Sequence, residues 1–378
     1  MKGLRFVAGT WLSAFAMWGS LLAIAPILGQ VSDELGLSKS QLGLVFSIPV
    51  LVLAILAFGG GMLTDRFGPR RVGTVGLVLV GFGGLLRAYS NDFGSLLLFS
   101  GVFGVGWSLS FPTLPKVVGG WFDKTEAGTA TGVYSIGLYI GAGLATAVEF
   151  ANSWRPQLAF WGIITLVIAF SWWVLIRDPT ASERERRKLR EVVGNRRLWA
   201  LTLLFFFGAN VTFYTLTGWL PAILATYASQ TTAAFVASFL SFFAIPVTLV
   251  VPWLVGKFGR RRSFLLVACA AGTVGSYVLF NAPLGLQAAA VVILGVSISA
   301  IFVICLTMPL ELVGERLVGT ATGFMLIAYT GGILGPSLSG LTQDVTSSFT
   351  PTMAILIVSF VVSAVLVFFL PSDSKGPG

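Results

Sequence analysis

The sequence contains no histidine and few charged residues. Without an imidazole, a zinc or haem site with a histidine ligand and a Ser-His-Asp triad are excluded. Only 10% of the 378 residues are Asp, Glu, Lys or Arg, whereas soluble domains carry about 25%. This composition cannot form a water-facing surface, so an ordinary cytosolic or secreted enzyme is excluded.

Cysteine is scarce as well. Cys269 and Cys305 both lie in apolar runs, without a Cys-x-x-Cys spacing. They are most simply small core residues. The sequence therefore predicts neither a metal site nor a cofactor.

Apolar residues make up 56% of the chain and occur in runs separated by short Gly, Pro and charge clusters. A run of about 20 apolar residues crosses a bilayer as a helix, and no alternation typical of barrel strands is present. The sequence predicts an all-α membrane protein with twelve spans, at about 5–30, 41–63, 72–90, 95–119, 127–150, 155–177, 198–224, 232–255, 263–281, 284–310, 318–341 and 349–370.

The basic residues predict the orientation. All but three of the 24 Lys and Arg residues fall on one face of the membrane, and the exceptions are Lys39, Arg87 and Arg155. Because basic residues in short loops stay in the cytoplasm, both termini are expected there, with the chain in the cell membrane. The net charge of +9 then faces anionic lipid of the bilayer, and no nucleic-acid partner is expected.

The chain contains an internal repeat. The segment Gly-Thr-Ala-Thr-Gly at 128–132 returns at 319–323, and the loop at 61–71 returns at 252–262, both 191 positions later. Six spans separate the copies, so each pair lies on one face of the membrane and the halves are parallel repeats. Two such bundles leave a seam between them, and rocking one against the other opens that seam to each side in turn.

The repeat also predicts the domain boundaries. Six-helix bundles are expected at 1–177 and 198–370, joined by a cytoplasmic linker at 178–197 and followed by a tail at 371–378. Mixed Glu and Arg at helical spacing in the linker are compatible with a short surface helix and with a solvated linker.

The loop between spans two and three has the pattern Gly-x-x-x-Asp-Arg-x-Gly-x-Arg-Arg, formed by Gly61, Asp65, Arg66, Gly68, Arg70 and Arg71. This pattern resembles motif A of the major facilitator superfamily, and the twelve-span layout resembles that family over the whole chain. The resemblance implies a secondary transporter in which this loop holds the cytoplasmic ends together while the cavity faces outward. The second copy, with Gly256, Gly259 and Arg261, has Gly256 where the acid would stand.

The acid of this motif has two physical interpretations. Asp65 can accept the N-terminal dipole of a helix beginning near Val318, or it can pair with a neighbouring arginine. The alternative is that the basic residues of the loop only enforce topology.

A narrower resemblance covers spans four and five. The stretch from Phe111 to Lys116, followed by Glu126 and the repeat at 128–132, is similar to the nitrate/nitrite and cyanate transporter branches. Glu126 is grouped with the gating residues. The nitrate porters carry an arginine in spans two and eight, and this chain has none there, which disfavours nitrate. The proline-containing motif that drug exporters carry in span five is also missing.

Polar and aromatic residues at helical spacing are the candidates for the cavity. They are Phe15, Trp18, Trp107, Ser108, Phe111, Lys116, Tyr134, Tyr139, Asn210, Tyr214 and Tyr329. Packing is the alternative for the aromatic residues. Asn210 is a stronger candidate, because an amide in hydrocarbon needs a partner. Lys116 either snorkels to the headgroups or points into the cavity and attracts an anion.

These observations lead to a functional prediction. A monomeric secondary transporter of a small-molecule substrate is expected, most simply a small inorganic or organic anion moved by alternating access. Efflux of apolar or weakly cationic compounds is the alternative. The only carboxylate near a suitable depth is Glu149, which favours facilitated diffusion or exchange over a proton-driven pump. A membrane enzyme is disfavoured because the sequence shows no catalytic cluster. A sensor is disfavoured because the sequence shows no signalling domain.

Overall fold

The computed structural model describes residues 3–122, 124–148, 153–178, 193–309, 312, 321 and 324–371; for 58, 124–129 and 256 it describes the backbone alone. The regular structure in these ranges is helical, which confirms the all-α prediction. The helices of the first half are α1 (Leu4–Leu22), α2 (Leu28–Leu35), α3 (Lys39–Phe67), α4 (Pro69–Arg87), α5 (Phe93–Ser110), α6 (Thr113–Trp121), α7 (Lys124–Ala147) and α8 (Trp154–Leu175). Those of the second half are α9 (Arg196–Leu204), α10 (Thr212–Leu224), α11 (Gln230–Phe242), α12 (Ala244–Phe258), α13 (Arg261–Asn281), α14 (Leu284–Thr307), α15 (Gly331–Thr346) and α16 (Thr350–Val367).

Among the described residues, ten helical segments are long and apolar enough to cross a membrane. The two remaining predicted spans are α4, which carries three arginines, and the span that contains α15, a helix of only 16 residues. Both pack inside the bundle, α4 against α5 and α8, and α15 against α3 and α10. The twelve-span prediction is confirmed.

Several spans are interrupted, and three of the breaks bear on the functional site. A 3₁₀ turn at Ala25–Ile27, which contains Pro26, separates α1 from α2, and Pro112 lies between α5 and α6. Proline removes a backbone donor and clashes with the preceding turn, which ends or bends a helix. In span seven, the π-helical segment Phe205–Val211 joins α9 to α10. These are spans one, four and seven, and the cavity described below lies beside them.

Each half packs mainly on itself. In the first half α1 packs against α7 and α8, and in the second half α13 packs against α14 and α16. Across the seam, α3 contacts α15, and α7 contacts α11. The first contact joins span two to span eleven, and the second joins span five to span eight. Because span eight repeats span two and span eleven repeats span five, the two contacts are related by the pseudo-two-fold axis of two parallel bundles.

The two ends of the bundle are distinct. The first copy of the repeated loop follows α3, which ends at Phe67, and the second copy follows α12, which ends at Phe258. Both copies lie at the same end of the bundle. We call this the basic end, since Arg66, Arg70 and Lys257 lie there, and the opposite one the far end.

Candidate functional site

A cavity lies on the seam between the two halves. About 400 Å³ of empty space, open solvent included, lies between its side chains. The first half contributes Trp18, Leu138 and Tyr139. The second half contributes Ala209, Asn210, Phe213, Tyr214, Ile298, Ser299, Phe302 and Tyr329. The cavity is therefore built mainly on the second half.

The cavity carries no fixed charge among its described lining residues, and several of these side chains are buried. Trp18 is 3% exposed, Asn210 3% and Tyr214 2%. The polar side-chain groups of the described lining are three phenols, one amide, the hydroxyl of Ser299 and the indole N–H of Trp18, and the Tyr139 phenol faces Ser299 across the seam. Hydroxyl groups both donate and accept hydrogen bonds, so the lining suits a small solute with few polar groups.

The π-helical segment presents Asn210 to the cavity. Its Nδ2 donates a hydrogen bond of 3.0 Å to the Phe205 carbonyl, five residues earlier. A π turn widens the helix and is frequent at functional sites. In the described part of the chain this is the side chain's one protein hydrogen bond, so the Asn210 Oδ1 atom remains available to a solute.

A chain of aromatic rings crosses the seam at the cavity. The Trp18 indole meets Trp107 edge to face, with 4.9 Å between ring centroids, and lies 5.5 Å from Phe111. Phe111 lies 6.2 Å from Tyr329, which in turn lies 6.4 Å from Tyr214. Aromatic pairs at these separations are mutually attractive, so ring contacts from both halves define the walls.

Five predicted binding residues line this cavity: Trp18, Tyr139, Asn210, Tyr214 and Tyr329. Trp107 and Phe111 stand directly behind Trp18 and outside the lining.

Three further candidates of the first half lie outside the described lining. The Phe15 ring packs 5.4 Å from that of Trp161, and the Ser108 hydroxyl donates to the Val105 carbonyl at 2.7 Å. Tyr134 is half-buried against the core. None of the three belongs to the described lining.

Lys116 lies at the basic end, away from the cavity lining. Its Nζ is 2.7 Å from Oδ1 of Asp65, and both side chains are more than a third exposed. The ion pair joins the end of α3 to α6 within the first half. An exposed pair of this kind contributes only about 0.2–1 kcal/mol, so its effect is on local geometry more than on stability.

The turn between α3 and α4 depends on Gly68. Its φ is +86°, a conformation that favours glycine, and a Cβ there would collide with the Asp178 carboxylate. Asp178 Oδ1 accepts a hydrogen bond of 2.9 Å from the backbone N–H of Arg70, at the start of α4. The Arg70 guanidinium stacks 4.1 Å from the ring centroid of Trp173. The motif thereby ties α4 to the end of α8.

The other predicted gating residues have less specific surroundings. The Arg66 guanidinium lies 5.1 Å from the Phe67 ring centroid, Arg71 is exposed, and a Cβ at Gly61 would meet open space.

In the second copy of the loop, Gly259 ends α12 with φ +64° and Arg261 begins α13. Gly256 lies inside α12. The side chain of Glu126, Glu149 and the helix start near Val318 lie outside the described residues.

At the far end, α15 caps α3 across the seam. Asp344 Oδ1 accepts from the backbone N–H of Lys39 at 2.8 Å, and its Oδ2 accepts from that of Ser40 at 2.7 Å. A Cβ at Gly340 would collide with the Lys39 carbonyl, so the two helices approach closely here. A carboxylate at a helix N-terminus is stabilised by the unpaired N–H groups and the helix dipole.

Further contacts close the same end. Ser337 and Ser47 hydroxyls lie 3.4 Å apart, and Gln230 Nε2 donates to the Pro26 carbonyl at 3.0 Å. Asp344 is exposed and lies beyond the predicted apolar span. Burial raises its pKa, but the hydrogen bonds from Ser40 and Lys39 lower it by more, so its pKa lies below the ordinary value.

Some lining residues were missed from the sequence although the repeat points to them. Ser299 and Phe302 stand 191 positions after Ser108 and Phe111, which were chosen as candidates. Asp344 carries no comparable local signal.

The family model described as Major Facilitator Superfamily matches residues 8–336. That range contains the motif A loop, most of both repeats and every described lining residue of the cavity. The chain belongs to the major facilitator superfamily. It is therefore a secondary transporter and not an enzyme, as the sequence predicted.

Curated relatives in this superfamily align along most of the chain. The hexuronate transporter of Bacillus subtilis is 26% identical over 92% of this chain and 90% of its own length. The cyanate transport protein of Escherichia coli is 26% identical, covering 87% of each. The second relative bears out the predicted likeness to the cyanate branch.

A solved structure shows the same fold. A crystal structure of a bacterial homologue of the human lysosomal transporter Spinster, inward-facing and unoccupied, aligns with a TM-score of 0.81 at 16% identity. The match covers 100% of this chain and 99% of that one. At this identity the likeness concerns the fold alone.

Proposed function

We propose that this superfamily member moves a small inorganic or organic anion through the seam cavity by rocker-switch alternating access. The observation that carries the proposal is a cavity between two parallel repeats whose described lining is uncharged and consists mainly of aromatic rings and hydrogen-bonding groups. The names of a hexuronate and a cyanate transporter among the relatives support the anion class.

Binding of an anion here relies on hydrogen bonds. The phenols of Tyr139, Tyr214 and Tyr329 and the Ser299 hydroxyl supply donors, and hydrogen bonds to a charged group are about twice as strong as neutral ones. No described lining residue is acidic, so nothing there repels the anion. Lys116 acts with Asp65 at the basic end and serves gating instead of binding.

The contacts at the two ends provide the gates. Asp344 closes the far end against Lys39 and Ser40, whereas motif A and its second copy lie at the basic end. The excess of Lys and Arg places the basic end, both termini and the linker at 178–197 in the cytoplasm of a cell-membrane protein. The conformation described is then closed towards the outside, and release of Asp344 precedes outward opening.

Transport proceeds by facilitated diffusion or exchange. A proton-driven step normally uses a carboxylate in the pathway, and the described lining contains none. The exchange rate is therefore expected to be the same with and without a pH gradient across the membrane.

Efflux of an apolar compound is the second candidate. It is favoured by six aromatic residues among the eleven that line the cavity.

The test is counterflow in proteoliposomes with labelled benzoate, cyanate, acetate and glucuronate, beside ethidium as the efflux probe. Asn210→Ala should lower anion counterflow by about tenfold, because it removes a buried amide at the site. Asn281→Ala is the matched control, since Asn281 also donates to a carbonyl of its own helix, at 2.8 Å, but is exposed on α13.

Movement of ethidium without any anion would replace the proposal with the efflux alternative. Equal counterflow by the two asparagine variants would show that Asn210 does not line the transport pathway. The cavity would then no longer be assigned as the substrate site.

A further inference from the structure

The two halves contribute unequally to the cavity lining, although the fold around the cavity has pseudo-two-fold symmetry. The 191-residue offset pairs Trp18 with Ala209, and Trp107 with Ile298. Ala209 and Ile298 line the cavity from the second half, whereas of their two mates only Trp18 reaches it. At both positions, the first half carries the larger side chain.

The first-half copy of the site is filled by its own side chains. Trp18 packs edge to face on Trp107 at 4.9 Å and lies 5.5 Å from Phe111. Trp107 lies outside the described lining, whereas its mate Ile298 belongs to it, so the cavity extends beside the second-half residues and not beside Trp107. The indole of Trp18 therefore fills the first-half space that corresponds, by the two-fold symmetry, to the open space beside Ala209.

Aromatic rings form much of the wall of the open half. Phe302 packs 5.4 Å from Phe205 on one side, and Tyr214 and Tyr329 stand 6.4 Å apart on another. Polar groups are few, and Asn210 already donates to a carbonyl. A polyhydroxylated sugar acid would leave hydroxyl groups unpaired in such a site, which disfavours its binding.

We propose that Trp18 sets the size class of the substrate, by filling the first-half copy of the cavity so that the remaining half-site accepts a single flat ring bearing one acidic group. This rests on the proposed function and narrows its substrate class. The ring stacks among the aromatic walls, and the acidic group meets the phenols and Ser299.

The test uses benzoate as the one-ring probe and 2-naphthoate as the two-ring probe, both carboxylates, with glucuronate as the sugar acid. The wild type should exchange benzoate at least about tenfold better than 2-naphthoate or glucuronate. Trp18→Ala should raise the 2-naphthoate to benzoate ratio by about tenfold, and Ala209→Trp should abolish benzoate exchange.

Two matched control variants distinguish an effect of side-chain size in the cavity from an effect of the substitution on folding. Trp253→Ala removes a tryptophan that is 61% exposed, and Ala270→Trp adds one at an exposed position of α13. Both should keep the wild-type ratio of 2-naphthoate to benzoate exchange. Thermal unfolding in detergent checks that each variant folds, and the wild-type ratio tests the proposal even if the Trp18 variant is unstable.

The outcomes distinguish the two levels of inference. Exchange of cyanate or glucuronate in preference to benzoate would overturn the one-ring class while small-anion transport stands. Equal ratios for folded Trp18→Ala and Trp253→Ala would overturn the role of Trp18. Failure of every anion to exchange would overturn the proposed function itself.

Discussion

Asp344, near the end of α15, accepts a hydrogen bond of 2.8 Å from the backbone N–H of Lys39, the first residue of α3. The same carboxylate accepts from Ser40. Helix α3 thus has its N-terminus capped across the seam, while its other end carries Asp65 of motif A. One pair of helices, α3 and α15, is therefore placed to respond to events at both ends of the bundle.

Replacing Asp344 with alanine should open the far end, because two backbone donors of α3 lose their acceptor. Spin labels at Tyr89 and Leu286, exposed at that end in opposite halves, would report a longer distance. Asp92→Ala is the control: Asp92 also caps a helix, accepting from the Ser95 N–H at 2.9 Å, but within the first half. An identical distance distribution in the two variants would show that the cap does not hold the halves together.

Closure of the far end should depend on pH only under acid conditions. The pKa of Asp344 lies below its ordinary value of 3.8 in this closed state, so the ionised carboxylate stabilises closure. That stabilisation is present above the ordinary pKa and is lost as the pH falls through the lowered one. The label distance should stay constant from pH 8 to about pH 5 and lengthen below that. A transition near neutral pH would assign gating to another group.

Lys116→Gln should change the rate of exchange but not the apparent affinity for the anion. Lys116 contacts Asp65 at 2.7 Å and does not line the cavity. Loss of an exposed ion pair shifts a conformational equilibrium by less than about fivefold. Lys116→Arg should restore the rate by keeping the charge. A large rise in KM with an unchanged maximal rate would instead place Lys116 at the substrate.

Two glycines of the same motif should respond oppositely to alanine. Gly68→Ala should destabilise the protein by about 1 kcal/mol or more, because φ is positive and Asp178 occupies the space of the new Cβ. Gly61→Ala should be neutral or slightly stabilising, since it lies within α3 facing open space. Thermal unfolding in detergent measures both. Equal losses would mean that the turn tolerates a side chain.

Part of the site could be predicted from the sequence. Helical spacing identified Trp18, Asn210 and Tyr214, because an inward stripe differs in composition from a lipid-facing one. The same spacing also indicates Phe15 and Ser108, but these residues pack within the first half. Spacing shows which face of a helix points inward, but it does not show how far along the helix the bundles separate.

Lys116 illustrates a second limit. A lone lysine near the end of a span is equally compatible with headgroups, a cavity or an acid in another loop. Asp65 is 51 residues away in sequence, and only the packing of α6 beside the end of α3 brings the two together. The Asp344 contact, across 305 residues, is a more extreme case.

The sequence by itself determined the number of spans, the parallel repeat and the membership of the superfamily, because hydropathy and loop charge govern insertion span by span. Only the tertiary structure decided which residues share the cavity, that one half of its symmetric space is filled by Trp18, and that Asp344 caps α3. These features depend on distances between helices remote in sequence, and such distances are set by the packing of two bundles against each other.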